Sequence, residues 1–106
     1  MLRRAIIPVE KINGPILLIT GDDDQMWPSS TFGDMISTRL SALDFNYNFQ
    51  HLRYNNAGHV IMDSFLPTTV FSYGPYIMGG SAQGNAIASR DSWPKVINFL
   101  RHALQN

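Results

Sequence analysis

The 106-residue chain is predicted to fold as an α/β domain, a short parallel sheet flanked by helices. Three stretches predict it. The apolar run Ile16-Leu17-Leu18-Ile19 stands between the breakers Gly14-Pro15 and Gly21, the pattern of a strand buried on both faces. Phe32, Met35, Ile36, Leu40 and Leu43 then recur at helical spacing. Phe49 to Tyr54 follows as a second strand and runs into Asn55-Asn56-Ala57-Gly58-His59, a turn with a histidine at its end.

Residues 1–15 read as a linker that delivers the first strand, punctuated by Pro8 and Gly14-Pro15. The strand covers Ile16 to Thr20, and Asp22-Asp23-Asp24-Gln25 forms a polar loop at its C-terminal end. Ser29-Ser30 offers an N-cap for a helix from about Ser30 to Leu43. Residues 63–82 are broken by Pro67, Gly74-Pro75 and Gly79-Gly80. They also carry Phe65, Leu66, Val70, Phe71, Tyr73 and Tyr76, so an ordered but irregular segment is expected. The last helix shows Trp93, Ile97, Leu100 and Leu104 on one face. Asp91 or Ser92 is its expected cap, with Pro94 in the first turn.

Composition removes several function classes. Net charge is zero, and the only adjacent basic pair is Arg3-Arg4, so the chain lacks the basic stripe that nucleic-acid binding requires. With no cysteine there is no disulfide framework and no zinc–cysteine site; this fits a reducing, cytoplasmic setting. The apolar stretch Ala5 to Val9 is interrupted by Glu10-Lys11, too short for a signal peptide. No run is long enough to span a bilayer, so a soluble protein away from membranes is expected. Charged residues make up only 15%, below the usual quarter. A domain so small and so poorly charged is expected to turn an apolar face toward something else.

Two constellations could carry chemistry. Gly21-Asp22-Asp23-Asp24 sits directly after an apolar strand, at the edge where parallel sheets build their sites. Read alone, it suits a solvated acidic loop better than a site. It lacks the alternating spacing and downstream glutamate of a calcium loop, so no metal is assigned. Ala57-Gly58-His59 sits after the second strand, and alone suits a surface histidine. Together they are worth more. An acid after one strand, then a helix, then a histidine after the next strand is the back half of a nucleophile–acid–histidine triad in α/β-hydrolase order. The acid fixes the imidazole tautomer, and the histidine moves the nucleophile's proton. No nucleophile accompanies them. Gly79-Gly80-Ser81-Ala82-Gln83 lacks the final glycine of a Gly-x-Ser-x-Gly elbow, follows the histidine instead of preceding it, and has no apolar strand leading in. His51, mid-strand, and His102, near a helix C-terminus where a cation suits the dipole, read as structural.

The segments Ile7-Pro8-Val9-Glu10-Lys11, Gly14-Pro15-Ile16-Leu17-Leu18, Gly21-Asp22-Asp23-Asp24-Gln25-x-Trp27-Pro28-Ser29, Ala57-Gly58-His59, Gly79-Gly80 and Ser92-Trp93 resemble one family in order and spacing. It is the C-terminal region of acyl-CoA thioester hydrolases and bile acid-CoA:amino acid N-acyltransferases. The resemblance runs from about Ile7 to Leu104. It implies that residues 1–106 form the C-terminal part of an α/β-hydrolase fold, with Asp24 as triad acid, Asp23 as fallback, and His59 as base. It also implies that Trp27 and Pro28 shape the loop and that Trp93 packs the last helix on the sheet. The family's nucleophile-bearing half and N-terminal β-sandwich are absent from this chain. Its Pro-rich stretch after the histidine is reduced here to Met62-Asp63-Ser64-Phe65-Leu66-Pro67.

The resemblance therefore implies an acyl-CoA thioester hydrolase region that supplies acid and histidine, takes an acyl-CoA substrate in the complete enzyme, and uses no cofactor. Self-association, or pairing with the missing N-terminal half, is the expected partnership. Two alternatives stay open: a non-catalytic remnant or docking module, and a fragment of another α/β-hydrolase esterase or N-acyltransferase.

Overall fold

The computed structural model describes residues 6–61 and 72–105. After a single 3-10 turn at Val9–Lys11, the chain forms β1 (Ile16–Gly21), α1 (Ser29–Ala42) and β2 (Phe49–Tyr54). A two-residue antiparallel hairpin follows, β3 (Ser72–Tyr73) and β4 (Tyr76–Ile77), and then the long helix α2 (Ala82–Ala103). The fold is α/β, as expected. β1 and β2 pair in parallel, from Ile16 opposite Phe49 to Gly21 opposite Tyr54. Parallel neighbours need a crossover, and α1 supplies it. Both helices pack on this pair.

The strands and α1 fall within a residue or so of their expected bounds, but the helix starts differently. Pro28 stands at the N-cap with no side-chain cap, and Ser29 and Ser30 are already helical. Ser30 is instead buried, its hydroxyl donating to Asp22 Oδ1 (2.7 Å) and lying 3.1 Å from Thr20 Oγ1. The expected apolar stripe is split. Leu40 is fully buried, while Phe32, Met35 and Leu43 are each about half exposed. Of the stripe only Leu40 is fully buried; the other buried positions of α1, Ser30 and Gly33, are small.

The reason lies beneath the helix. His51 projects from β2, and its Nε2 lies 2.7 Å from Thr20 Oγ1 on β1. Its Nδ1 lies 3.6 Å from Asp34 Oδ1. Arg53 closes the ring, Nε to Asp22 Oδ1 at 2.6 Å and Nη1 to Asp34 Oδ2 at 2.7 Å. This polar chain replaces an oily helix–sheet contact, and a bulky side chain on the inner face of α1 would displace it. The helix ends on Asp44, in the left-handed region at φ +50°, with Phe45 N–H donating to Leu40 C=O, a helix stop of the kind that usually employs glycine.

The last helix begins about ten residues earlier than expected. Ser81 is its N-cap, its hydroxyl accepting from Gly84 N–H at 2.9 Å, so Asp91 and Ser92 are interior and Pro94 lies mid-helix. Proline there has no N–H to give the Arg90 carbonyl. The early turns carry small or polar residues on their buried side, Gly84, Asn85, Ala88, Ser89 and Ser92. Large apolar periodicity starts only at Trp93, itself partly buried. Of the stretch 63–82, residues 63–71 lie outside those described. The described part, from Ser72, is the β3–β4 hairpin followed by Gly79-Gly80.

At the N-terminal end, Arg39 grips Glu10 through two bonds, Nε–Oε2 2.6 Å and Nη2–Oε1 2.7 Å. The guanidinium holds the Glu10 carboxyl at about 2, far below its ordinary 4.5. This pair straps the 3-10 turn to α1.

Gly33 has no room for a methyl group, because a Cβ there would strike the His51 ring. Gly33→Ala is expected to destabilise the fold by about 1–3 kcal/mol, the usual cost of overpacking, as a lower urea midpoint with unchanged m-value.

Candidate functional site

Because the strands are parallel and in step, their C-terminal ends open on the same edge of the sheet. Asp22 N–H donates to Tyr54 C=O (2.9 Å) and Asp23 N–H to Ala57 C=O (2.9 Å). These bonds lay the acidic loop alongside the histidine loop. Gly21 permits the approach, since a Cβ there would collide with the Ala57 and Gly58 carbonyls.

The result is a contact between groups 35 residues apart: Asp24 Oδ2 lies 3.1 Å from His59 Nδ1. The other Asp24 oxygen, Oδ1, accepts from the backbone N–H groups of Met26 (2.9 Å) and Trp27 (3.2 Å). The Asp24 side chain is only 3% exposed, whereas that of His59 is 29% exposed. Burial pushes the Asp24 carboxyl up, but hydrogen bonds from His59, Ser29 and the Trp27 and Met26 amides outweigh it and hold the acid below its ordinary value. Trp27 stands edge-on to the imidazole, ring centres 4.7 Å apart and planes at 87°. The sequence led to the expectation of a packing role for Trp27; the structure puts its ring against His59, with more than half of the residue exposed.

Asp23, the fallback acid, is turned elsewhere. Its Oδ2 accepts from Gly80 N–H at 2.8 Å, and its Oδ1 accepts from Gln25 Nε2 at 2.5 Å. Asp22 is engaged by Ser30 and Arg53. Ser81 spends its hydroxyl on the α2 cap. His102 Nδ1 bonds the Asn98 carbonyl at 2.8 Å, as a histidine in a last turn can.

A third segment completes the site. Gly79 and Gly80 adopt φ of +84° and +78°, a backbone that only glycine enters without strain. They form isolated bridges to Asp24 and Ala57 respectively, and so lie across both loops. Just before them, Met78 C=O accepts from His59 N–H (2.8 Å) and Gln25 N–H (3.3 Å). The Gly-Gly step thus clamps the acid loop to the histidine loop. Among the described residues no cluster of histidine and carboxylate groups has the make-up of a metal site.

The family model described as "BAAT / Acyl-CoA thioester hydrolase C terminal" matches residues 2–106. The chain belongs to that family. Among curated proteins, this family member is 32% identical to the mouse (Mus musculus) peroxisomal succinyl-coenzyme A thioesterase over 91% of its own length and 24% of the relative. It is 30% identical to mouse mitochondrial acyl-coenzyme A thioesterase 2, over 96% of the chain and 23% of the relative. It is 32% identical to mouse acyl-coenzyme A amino acid N-acyltransferase 1, over 95% and 26%. The chain therefore spans about a quarter of the length of the curated relatives it matches.

The depressed carboxyls set a pH dependence with a definite sign. Asp24 and Glu10 have folded values below their unfolded ones. Their contribution is complete above about pH 5 and is lost as pH falls through the folded values. The urea midpoint is expected to drop steadily between about pH 5 and pH 2, and Asp24→Asn should flatten that drop in equilibrium unfolding series run at each pH.

Proposed function

We propose that Asp24 and His59 are the acid and base of an acyl-CoA-processing triad, and that the nucleophile belongs to a segment outside this chain. The contact between Asp24 Oδ2 and His59 Nδ1 carries the reading. With Nδ1 committed to the carboxylate, Nε2 is the nitrogen that exchanges protons with the reacting groups. Membership in the thioester hydrolase family supplies the substrate class.

The chemistry is covalent acyl transfer. A serine or cysteine attacks the thioester carbonyl while His59 Nε2 takes its proton. The tetrahedral intermediate collapses, CoA leaves as the thiol with that proton, and an acyl-enzyme remains. Water, deprotonated by His59, then attacks the acyl carbonyl and releases the carboxylic acid. Asp24 stabilises the imidazolium in both halves. An amine acceptor in place of water would give N-acyl transfer by the same groups. The relatives include thioesterases and an N-acyltransferase at equal identity, so the family alone does not choose between water and an amine as acceptor.

Two features support pairing with a nucleophile-bearing half. β1 pairs only with β2 among the described residues, and its apolar Ile16 to Ile19 are only partly buried. An unpaired apolar strand edge invites association. On α1, Phe32, Met35 and Leu43 lie open.

The chain alone is expected to show no acyl-CoA hydrolysis, followed as release of free CoA thiol. A protein extended to include the nucleophile-bearing segment should hydrolyse acyl-CoA, and His59→Ala should lower its kcat by about 10²–10⁴-fold. Turnover by the 106-residue chain that disappears in His59→Ala would instead place a nucleophile within it. In size-exclusion chromatography the isolated chain should run as a dimer or larger species; a clean monomer with a sharp unfolding transition would count against the half-domain reading.

A further inference from the structure

The geometry points to Asn85 as a positioning residue for His59: its buried amide ties the histidine loop to the Gly-Gly step and so sets the imidazole on Asp24. The inference rests on the reading of Asp24 and His59 as an acid–base pair. Asn85 lies in the first turn of α2 and is fully buried. Its Oδ1 accepts from Gly58 N–H at 2.8 Å, one residue before His59. Its Nδ2 donates to Gly79 C=O at 3.4 Å. An amide carries one acceptor and one donor group, and here each meets its complement. Neither a leucine nor a serine of the chain could make both bonds.

The consequence for His59 follows from the backbone. Its own N–H is held by Met78 C=O (2.8 Å), and the preceding N–H is held by Asn85. Two successive amides are therefore fixed against the segment that also bridges to Asp24. Asn85 is in place before any substrate arrives, because α2 is anchored by the Ser81 cap and by Ser81 N–H on Asn56 C=O (2.8 Å). The packing leaves no slack. A Cβ at Gly80 would meet the Asn85 carbonyl oxygen, and one at Gly84 would meet the Asn56 backbone. A buried polar side chain so placed contributes orientation more than apolar burial would.

The test is nitrogen-15 NMR of the histidine rings in the 106-residue chain. Wild-type His59 should hold its neutral imidazole as the Nδ1–H tautomer, with Gly58 N–H protected from exchange like the paired amides of β1 and β2. Asn85→Leu, close in volume, should lose the Nδ1–H preference at His59. Asn85→Asp keeps an acceptor for Gly58 and should retain it. Ser92→Ala, a change at another buried polar site on the same helix, should leave the tautomer unaltered even if it lowers stability. A folded Asn85→Leu protein that keeps the wild-type tautomer would overturn the inference while leaving the acid–base pair standing. If Asn85→Leu does not fold, the wild-type exchange decides: an unprotected Gly58 amide overturns the inference and a protected one upholds it. Absence of the Nδ1–H tautomer in the wild-type protein would remove the Asp24–His59 pairing itself, and the inference with it.

Discussion

Everything in this domain hangs on the parallel register of β1 and β2. Gly21 is level with Tyr54, so the two loops that follow leave the sheet at the same height. Slide either strand by one residue and each side chain moves to the opposite face. Thr20 and His51 would then part, and Asp24 and His59 would no longer meet. The register is secured twice over: by ladder bonds between the strands, and on one face by the hydroxyl–imidazole bond between Thr20 and His51. The bonds of Asp22 and Asp23 N–H to Tyr54 and Ala57 extend that register beyond the sheet into the loops that bear the acid and the histidine.

The site is a junction of three backbones, with side chains attached at its surface. The acid loop, the histidine loop and the Gly-Gly step approach so closely that Gly21, Gly58, Gly79 and Gly80 each have backbone or buried polar atoms where a Cβ would stand. Such crowding leaves no room for a side chain at any of the four glycines. Asp24 shows how one carboxylate is divided. Oδ1 is consumed by Met26 and Trp27 amides, which lock the loop's own shape. Oδ2 alone reaches His59. The polar cluster of Asp34, His51, Thr20 and Ser30 superficially repeats a hydroxyl–imidazole–carboxylate chain. It lies under α1 with Gly33 pressed on the imidazole, and its role is to join helix to sheet.

The main features of this arrangement were legible in the sequence where local pattern and tertiary demand agree. The Ile16 to Ile19 run, bounded by Gly14-Pro15 and Gly21, could hardly be anything but a buried strand. The residues Asp24 and His59 stood out because each follows a strand end. Pattern misled where burial is achieved without large apolar side chains. The buried positions of α1 are Ser30, Gly33 and Leu40, so of the visible stripe of Phe32, Met35, Ile36, Leu40 and Leu43 only Leu40 marked the fully buried side, while Phe32, Met35 and Leu43 lie about half exposed. The first turns of α2 were invisible for the same reason, since Gly84, Asn85, Ala88 and Ser89 carry little hydrophobic signal. Their spacing of small residues was the available clue to a helix packed closely on backbone. Asn85 could not be singled out at all, because its partners, Gly58 and Gly79, come together only through tertiary structure.

The seating of Gly33 over the His51 ring has a consequence for how this fold can vary. An oily helix–sheet contact tolerates sliding, since one methyl serves nearly as well as the next. A single glycine above a single imidazole is a detent: α1 can rest at one axial and rotational setting and no other. With the helix start pinned there and Gly21 pinned beneath the Ala57 carbonyl, the seven residues from Asp22 to Pro28 form a bridge of fixed span between two immovable abutments. Side chains on that bridge are free to change wherever they point outward. Its residue count is not, and an insertion or deletion there would swing the carboxylate off its histidine without touching either residue.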